Sequence, residues 1–110
     1  MIIEYIRFGL TDAVQARHFE RDCALAVQRL ARHENCLQYE LARCIDQPLQ
    51  YILQIRWDVA VAPRPSPPNP SDALLSELSA PYRTQLLERR QYEATSVSGL
   101  GPGRRRALET

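Results

Sequence analysis

Two runs of alternating apolar residues, joined by a short turn, lie within Cys36–Trp57 and constrain the fold more than any other feature. The first run is Leu37, Tyr39, Leu41 and Ile45, broken only by Arg43, and the second is Leu49, Tyr51, Leu53, Ile55 and Trp57. A period of two is typical of half-buried strands. Asp46–Pro48 favours a reversal, because proline lacks an N–H and aspartate bonds nearby backbone. We therefore predict an antiparallel hairpin with one aromatic-rich face.

The residues before this hairpin predict a strand and a long helix. Met1–Phe8 is rich in β-branched and aromatic residues, and Gly9 ends it. Thr11 or Asp12 caps a helix over 12–33, and Asp12 followed by Gln15 resembles a capping box. Apolar residues recur along it at spacings of three and four: Ala16, Phe19, Cys23, Ala26, Val27 and Leu30. This stripe predicts an amphipathic helix that packs on the strands.

The composition changes after the hairpin. Residues 59–70 hold five of the eight prolines, so we expect an extended loop over 63–70, with a proline-rich ligand for a partner's aromatic groove as the alternative. A short helix is predicted over 73–79 and a fourth strand within 84–97, at a sheet edge. Residues 98–110 are rich in glycine, proline and arginine, which predicts a disordered tail.

This order of elements predicts an α+β fold of the ferredoxin-like, split βαβ type. Four antiparallel strands form one sheet, and helices cover one of its faces. The domain spans residues 1–97, including an atypical span at 59–78. Because an uncovered face carrying regularly alternating Tyr and Leu would be costly in water, we expect a second copy of the chain to cover it.

Composition excludes several classes of partner. The 110 residues carry 14 basic and 13 acidic side chains, a net charge of +1, which argues against a nucleic-acid or membrane-surface binder. No run reaches the ~20 apolar residues of a membrane span, so we expect a cytoplasmic protein. The three cysteines are odd in number, and Cys36 and Cys44 on one strand would lie roughly 26 Å apart, so free thiols are expected. His18 and His33 lack companion ligands, and no metal is expected.

Three segments together resemble a known family. MIIEYIRFGL at the start, NCLQYELARCIDQPLQYILQIRWD in the middle and LLERRQYEAT near the end are similar to the antibiotic biosynthesis monooxygenase domain. The family pattern places a small residue before Leu-x-Tyr-Glu-Leu, a proline in the hairpin turn and a tryptophan at the end of the third strand. Matching residues are Cys36, Leu37, Tyr39, Glu40, Leu41, Pro48 and Trp57.

The resemblance implies a dimeric α/β barrel and a small oxygenase that needs no cofactor. Such an enzyme oxidises a small aromatic, such as a quinol, with O₂ after the pocket helps form a phenolate. The chain departs from the pattern after Trp57, with no histidine after His33 and no phenylalanine after Phe19. One hypothesis is that residues 59 to about 78 come from a shifted reading frame or a local replacement, which sequencing of the coding DNA tests.

The resemblance singles out six candidate site residues. Trp57, Tyr51 and Tyr39 are the candidate catalytic residues, and Phe19, His18 and Arg56 are candidates for substrate binding. Arg56 has the opposite strand parity to Trp57, so both cannot point into one pocket at regular pleating. The competing interpretation is that this aromatic stripe is core or dimer interface, in a non-catalytic dimeric module that binds a ligand or assists another protein.

Overall fold

The computed structural model describes residues 1–58, 74 and 86–103. Five elements follow one another in this part of the chain: β1 (Ile2–Gly9), α1 (Ala13–Ala31), β2 (Cys36–Arg43), β3 (Gln50–Trp57) and β4 (Leu86–Glu93). The four strands form one antiparallel sheet in the order β2-β3-β1-β4. This confirms the predicted α+β, ferredoxin-like arrangement.

The long helix begins and ends close to the predicted residues. The side chain of Asp12 caps it by accepting the backbone N–H of Gln15 at 2.8 Å. Gln15 Oε1 in turn accepts the hydroxyl of Thr11, the residue before the cap, at 2.8 Å. The predicted stripe is buried against the sheet at Ala16, Phe19, Cys23, Val27 and Leu30, whereas Ala26 is half-buried.

The predicted hairpin is confirmed. Asp46–Pro48 lies in the reversal, where the N–H of Gln50 bonds the carbonyl of Gln47 at 2.8 Å. Along β3 every second side chain is buried, from Tyr51 to Trp57. The pattern is less regular on β2, because the pairing register shifts between Cys36 and Gln38. Leu37 is therefore 56% exposed, and Ile45 beyond the strand is 93% exposed, so neither belongs to the half-buried face that was predicted.

The aromatic-rich face is the one that α1 covers. Tyr51, Leu53, Ile55 and Trp57 join the buried residues of α1 in a single core, together with Ile6 and Phe8 of β1. The opposite face, which we call the open face, has half-buried Ile3, Tyr5 and Ile52 among polar side chains. The Tyr- and Leu-rich stripe of β3 therefore lies under α1, and the open face is the one that the expected second copy would cover.

Several predicted segments lie outside the described residues: the proline-rich loop, nearly all of the short helix over 73–79, and the tail from 104 onward. Leu74 is described; it has helical geometry and is 3% exposed within the core. All three cysteines are free thiols, as predicted. In the described part of the chain, no helix is long and apolar enough to cross a membrane.

Candidate functional site

An open groove of about 310 Å³ lies between α1 and the edge strand β2. We call it the α1–β2 groove, and its lining comprises Glu20, Cys23, Ala24, Val27, Tyr39, Glu40, Leu41 and Leu53. Apolar side chains from both elements make its floor, and the carboxylate residues Glu20 and Glu40 contribute its polar lining. Burial raises the pKa of the Cys23 thiol to about 11, so at neutral pH Cys23 is a protonated, weakly polar wall rather than a nucleophile. The groove can therefore hold a small apolar ring beside a carboxylate.

A short hydrogen bond links α1 to β3 beside this groove. The hydroxyl of Tyr51 donates to Glu20 Oε2 at 2.5 Å, and Arg43 Nη2 lies 3.6 Å from the same oxygen. Burial, the hydrogen bond to Glu20 and the negative charge of Glu20 raise the pKa of Tyr51 to about 12, which Arg43 partly offsets. Tyr51 thus stays protonated as a donor at neutral pH. Glu20 is a carboxylate that already accepts one phenolic hydroxyl.

A second polar cluster, the Glu4 network, lies at the opposite end of the helix-covered face. Glu4 is fully buried, and its carboxylate accepts the indole N–H of Trp57 at 3.3 Å and Arg89 Nε at 2.9 Å. The three residues come from β1, β3 and β4, so the network links three neighbouring strands. A carboxylate loses several kcal/mol of hydration on burial, and the Arg89 charge offsets that loss. The network holds the Trp57 indole in one orientation.

The ring of His33 contacts the other side of Trp57. The two ring centroids lie 5.7 Å apart in an edge-to-face arrangement. The Nδ1 atom of His33 accepts the backbone N–H of Asn35 at 3.2 Å, which assigns the neutral ring's proton to Nε2. Within residues 1–58, 74 and 86–103, no group of three His, Cys, Asp or Glu side chains is placed to hold a metal ion.

The six predicted site residues do not converge on one pocket. Tyr39 lines the α1–β2 groove and Tyr51 bonds to its Glu20, whereas Trp57 lies six residues beyond Tyr51 on the same strand. At ~3.3 Å per residue, six residues separate the Cα atoms by roughly 20 Å. One small substrate therefore cannot touch both Tyr51 and Trp57.

The three predicted binding residues lie in three different environments. Phe19 is fully buried, its ring 4.9 Å from that of Phe8 and 5.4 Å from that of Tyr51. His18 is exposed on α1, with Nδ1 3.3 Å from Arg21. Arg56 lines a second pocket of about 90 Å³, which shares Tyr39 and Glu40 with the α1–β2 groove and is completed by Gln38 and Gln54. The predicted opposition of Arg56 and Trp57 is confirmed, because Trp57 belongs to the helix-covered core and Arg56 does not.

Sequence reasoning missed the most informative polar groups. Glu4 stands inside an apolar strand, where a buried charge needs a partner, and that was the available signal for it. Glu20 had no such signal, because it directly follows Phe19 of the apolar stripe and resembles an ordinary solvent-exposed charge on a helix. Arg89 belongs to a charged strand in which one arginine cannot be distinguished from the next. Only the pairing of β1 with β4 brings it to Glu4.

Comparisons of the whole structure show strong similarity to solved proteins. SnoaB from Streptomyces nogalater, a cofactor-independent oxygenase, superposes with a TM-score of 0.62 at 17% identity, covering 87% of this chain and 94% of that one. A Deinococcus radiodurans protein provisionally named an antibiotic biosynthesis monooxygenase gives a TM-score of 0.61 at 18% identity, covering 92% and 99%. The chain has the antibiotic biosynthesis monooxygenase fold.

A provisionally named antibiotic biosynthesis monooxygenase from Bordetella bronchiseptica shows the same fold, with a TM-score of 0.64 at 19% identity over 86% of this chain and 96% of that one. No protein-family model and no curated protein matches the sequence. The antibiotic biosynthesis monooxygenase fold is thus visible in the structure at sequence identities too low to transfer an activity.

Proposed function

We propose that the protein is a cofactor-independent monooxygenase that oxidises a small aromatic substrate, such as a quinol, with O₂. The observation that carries the proposal is Glu20, a carboxylate that lines an apolar groove and already accepts the phenolic hydroxyl of Tyr51. SnoaB, a cofactor-independent oxygenase with the same fold, supports the same class of reaction. The groove's ~310 Å³ is at the small end of ligand pockets, which favours one or two rings.

A quinol carries enough electrons for this reaction without an external reductant. One atom of O₂ enters the ring as a hydroxyl group and the other leaves as water, and the quinol ends as a hydroxyquinone. The two ring hydroxyls and the displaced ring hydrogen supply the hydrogens that balance the equation. Loss of a phenolic proton starts the reaction, because a phenolate gives an electron to O₂ more readily than a phenol does.

The groove residues have separate roles in this proposal. Tyr51 and Arg43 both contact Glu20 Oε2, and we assign Glu20 Oε1 to the substrate hydroxyl. The Arg43 guanidinium offsets the negative charge that develops on the phenolate. Tyr39 at the groove wall packs on the substrate ring, while Leu41 and Leu53 exclude water from it. The α1–β2 groove is not lined by Trp57, Phe19 or His18, so they have no direct contact with the substrate in this proposal. Arg56 lies in another pocket.

Oxygen uptake with chelator-treated protein tests the proposal. We expect O₂ consumption with one- and two-ring quinols, and a product whose mass shows one oxygen atom derived from labelled O₂. The isosteric Glu20→Gln change should lower kcat/KM by about tenfold or more, because the amide is a far weaker proton acceptor. Glu88→Gln is the matched control, since Glu88 bonds Arg7 on β1 rather than lining the groove. No turnover above background across the panel would refute the proposal.

The second candidate is a non-catalytic dimeric module that binds a ligand or assists another protein. The observation that favours it is the Glu4 network, which holds Trp57 only 6% exposed in the core. In that case quinols bind and alter the fluorescence of the single tryptophan, yet O₂ uptake stays at background. A homodimer is common to both candidates, and we propose that it forms through the open face, where Ile3, Tyr5 and Ile52 are half-buried in one chain.

A further inference from the structure

The outer face of α1 carries a stripe of positive charge that neither candidate function uses. Its residues are exposed and recur at alternating spacings of four and three: Val14, His18, Arg21, Leu25, Gln28 and Arg32. Arg17 and Arg29 are exposed beside this line. We call these eight residues the α1 stripe. It contains four arginines and no carboxylate, although the helix as a whole also carries Glu20 and Asp22.

One ion pair of the α1 stripe, between Arg21 and the neighbouring Asp22, lies at the surface. Asp22 borders it and lies 3.8 Å from Arg21, with both side chains well exposed, so this pair stabilises little. Arg17 and Arg21 stand one turn apart, as do Arg29 and Arg32. Like charges at this spacing destabilise a helix by roughly 0.2–0.5 kcal/mol. The helix retains the arginines despite this cost.

Two large aliphatic side chains are part of the stripe. Val14 is 55% exposed and Leu25 is 62% exposed. Leu25 lies between Arg21 and Arg29, each one turn away, and Val14 has Arg17 one turn away. A phosphate backbone offers such side chains nothing to pack against, and the net charge of +1 gives little long-range attraction for a polyanion. A protein helix with acidic and apolar side chains satisfies both the arginines and the aliphatic groups. The alternating spacing of four and three is also that of a helix–helix seam.

We propose that the α1 stripe is a docking surface for an acidic amphipathic helix of a partner protein. The 19 residues of α1 extend about 28 Å at 1.5 Å per residue. A seam of that length makes a small interface, in the range of weak and transient complexes. Binding is therefore expected at micromolar affinity, and it depends on salt because its charges stay near solvent.

Titration of the full-length protein with a synthetic helical peptide tests this surface. The probe carries glutamates on one face around a line of leucines, and a scrambled peptide of the same composition controls for charge alone. The ordered peptide should bind at least about tenfold more tightly than the scrambled one, and high salt should abolish binding. Equal binding of the two peptides, or no binding of either, overturns the proposal.

Charge-neutral variants then locate the contact. The triple change Arg17→Gln, Arg21→Gln and Arg32→Gln should weaken peptide binding about tenfold or more, because three charge pairs are lost. Leu25→Gln should weaken it several-fold at unchanged charge. The control is Arg56→Gln with Arg90→Gln, which removes two arginines from β3 and β4 and should leave binding unchanged. Equal losses in the control would refute the location, with circular dichroism confirming that every variant is folded.

Polyanion probes separate the proposal from its nearest rivals. A short DNA duplex and vesicles rich in phosphatidylserine are titrated under the same conditions as the peptide. Tighter binding of either probe, lost in the triple variant, would overturn the choice of an acidic helix in favour of phosphate recognition. None of these measurements depends on oxygenase activity, so the docking surface stands or fails independently of the proposed function.

Discussion

At the scale of single residues, Glu4 stands out because it is the one charged side chain among the described residues that is fully buried. Its Arg89 partner is 31% exposed, while Glu4 itself has no exposure. Arg89→Met leaves the Glu4 carboxylate buried without the Arg89 guanidinium. Because breaking a buried ion pair in this way typically costs about 3–5 kcal/mol, we expect Arg89→Met to lower the free energy of unfolding by about that amount. Removing both charges, as in Glu4→Leu with Arg89→Met, should cost clearly less. Urea unfolding followed by the single tryptophan measures both.

The exposed pair Arg7–Glu88 provides the matched control for this prediction. Its atoms lie 3.2 Å apart, but the side chains are 44% and 31% exposed. Water screens such pairs, so Arg7→Met should cost no more than about 1 kcal/mol. Two results would contradict the prediction that Arg89 compensates the buried charge of Glu4. One is an equal loss of stability in Arg89→Met and Arg7→Met, and the other is a double variant that is less stable than Arg89→Met alone.

Tyr51 gives a prediction about alkaline pH. The chain contains no lysine, so above pH 9 its titration is due mainly to cysteine and tyrosine side chains. The folded pKa of Tyr51 is raised to about 12, above the ~10 of an unfolded tyrosine. Its contribution to stability is therefore fully present below pH 10 and is lost as pH rises through 12. Tyr51→Phe should flatten the fall in the free energy of unfolding over that range.

Two comparisons make the alkaline experiment specific to Tyr51. The pKa of Cys23 is also raised, to about 11, so its contribution to the free energy of unfolding is likewise lost above pH 9. Tyr51→Phe leaves this Cys23 contribution unchanged. Near-ultraviolet absorbance should also show that Tyr51→Phe removes a late-titrating tyrosine component from the wild-type curve. Identical slopes in the wild type and Tyr51→Phe would contradict the Tyr51–Glu20 hydrogen bond.

At the scale of elements, local patterns predicted what local physics determines. The period of β3 and the stripe of α1 were predicted correctly, because burial on one face imposes both. The bulge in β2 was not predictable, since Leu37 continues the alternation in sequence, whereas the register of β2 against β3 skips it and leaves it exposed. The Glu20–Tyr51 and Glu4–Arg89 contacts join residues 31 and 85 positions apart. No sequence spacing encodes such contacts without knowledge of the fold.

The start of α1 offers a direct test of an element predicted from sequence. The Asp12 carboxylate accepts the N–H of Gln15 at 2.8 Å, which satisfies one of the helix's unpaired donors. Asp12→Ala should therefore lower the free energy of unfolding by about 1 kcal/mol. Asp12→Asn keeps the acceptor and should stay within a few tenths of wild type. Equal losses in both variants would mean that the side-chain charge matters rather than the cap.

At the scale of the whole molecule, the open face determines whether the protein is a dimer. Four strands spaced ~4.8 Å apart and eight residues long at ~3.3 Å each present a face of roughly 19 by 26 Å. The accessible surface area of this face is larger than its flat area, because side chains project from it. It therefore approaches the ~800 Å² that each partner buries in an interface of standard size. Ile3, Tyr5 and Ile52 provide apolar area there, and Tyr5 stacks edge-to-face on Tyr92 with centroids 5.4 Å apart.

The charges of this face can also match those of a second copy. Arg7 and Glu88 are cross-strand partners near one end of the β1–β4 pair, so an interface through the open face brings opposite charges from both copies together. Ile52→Asp puts an unmatched carboxylate in the apolar area and should convert a dimer to a monomer in analytical ultracentrifugation. Leu25→Asp on the α1 stripe should leave the dimer intact. A monomeric wild type, or dissociation by the α1 change alone, would exclude the open face as the interface.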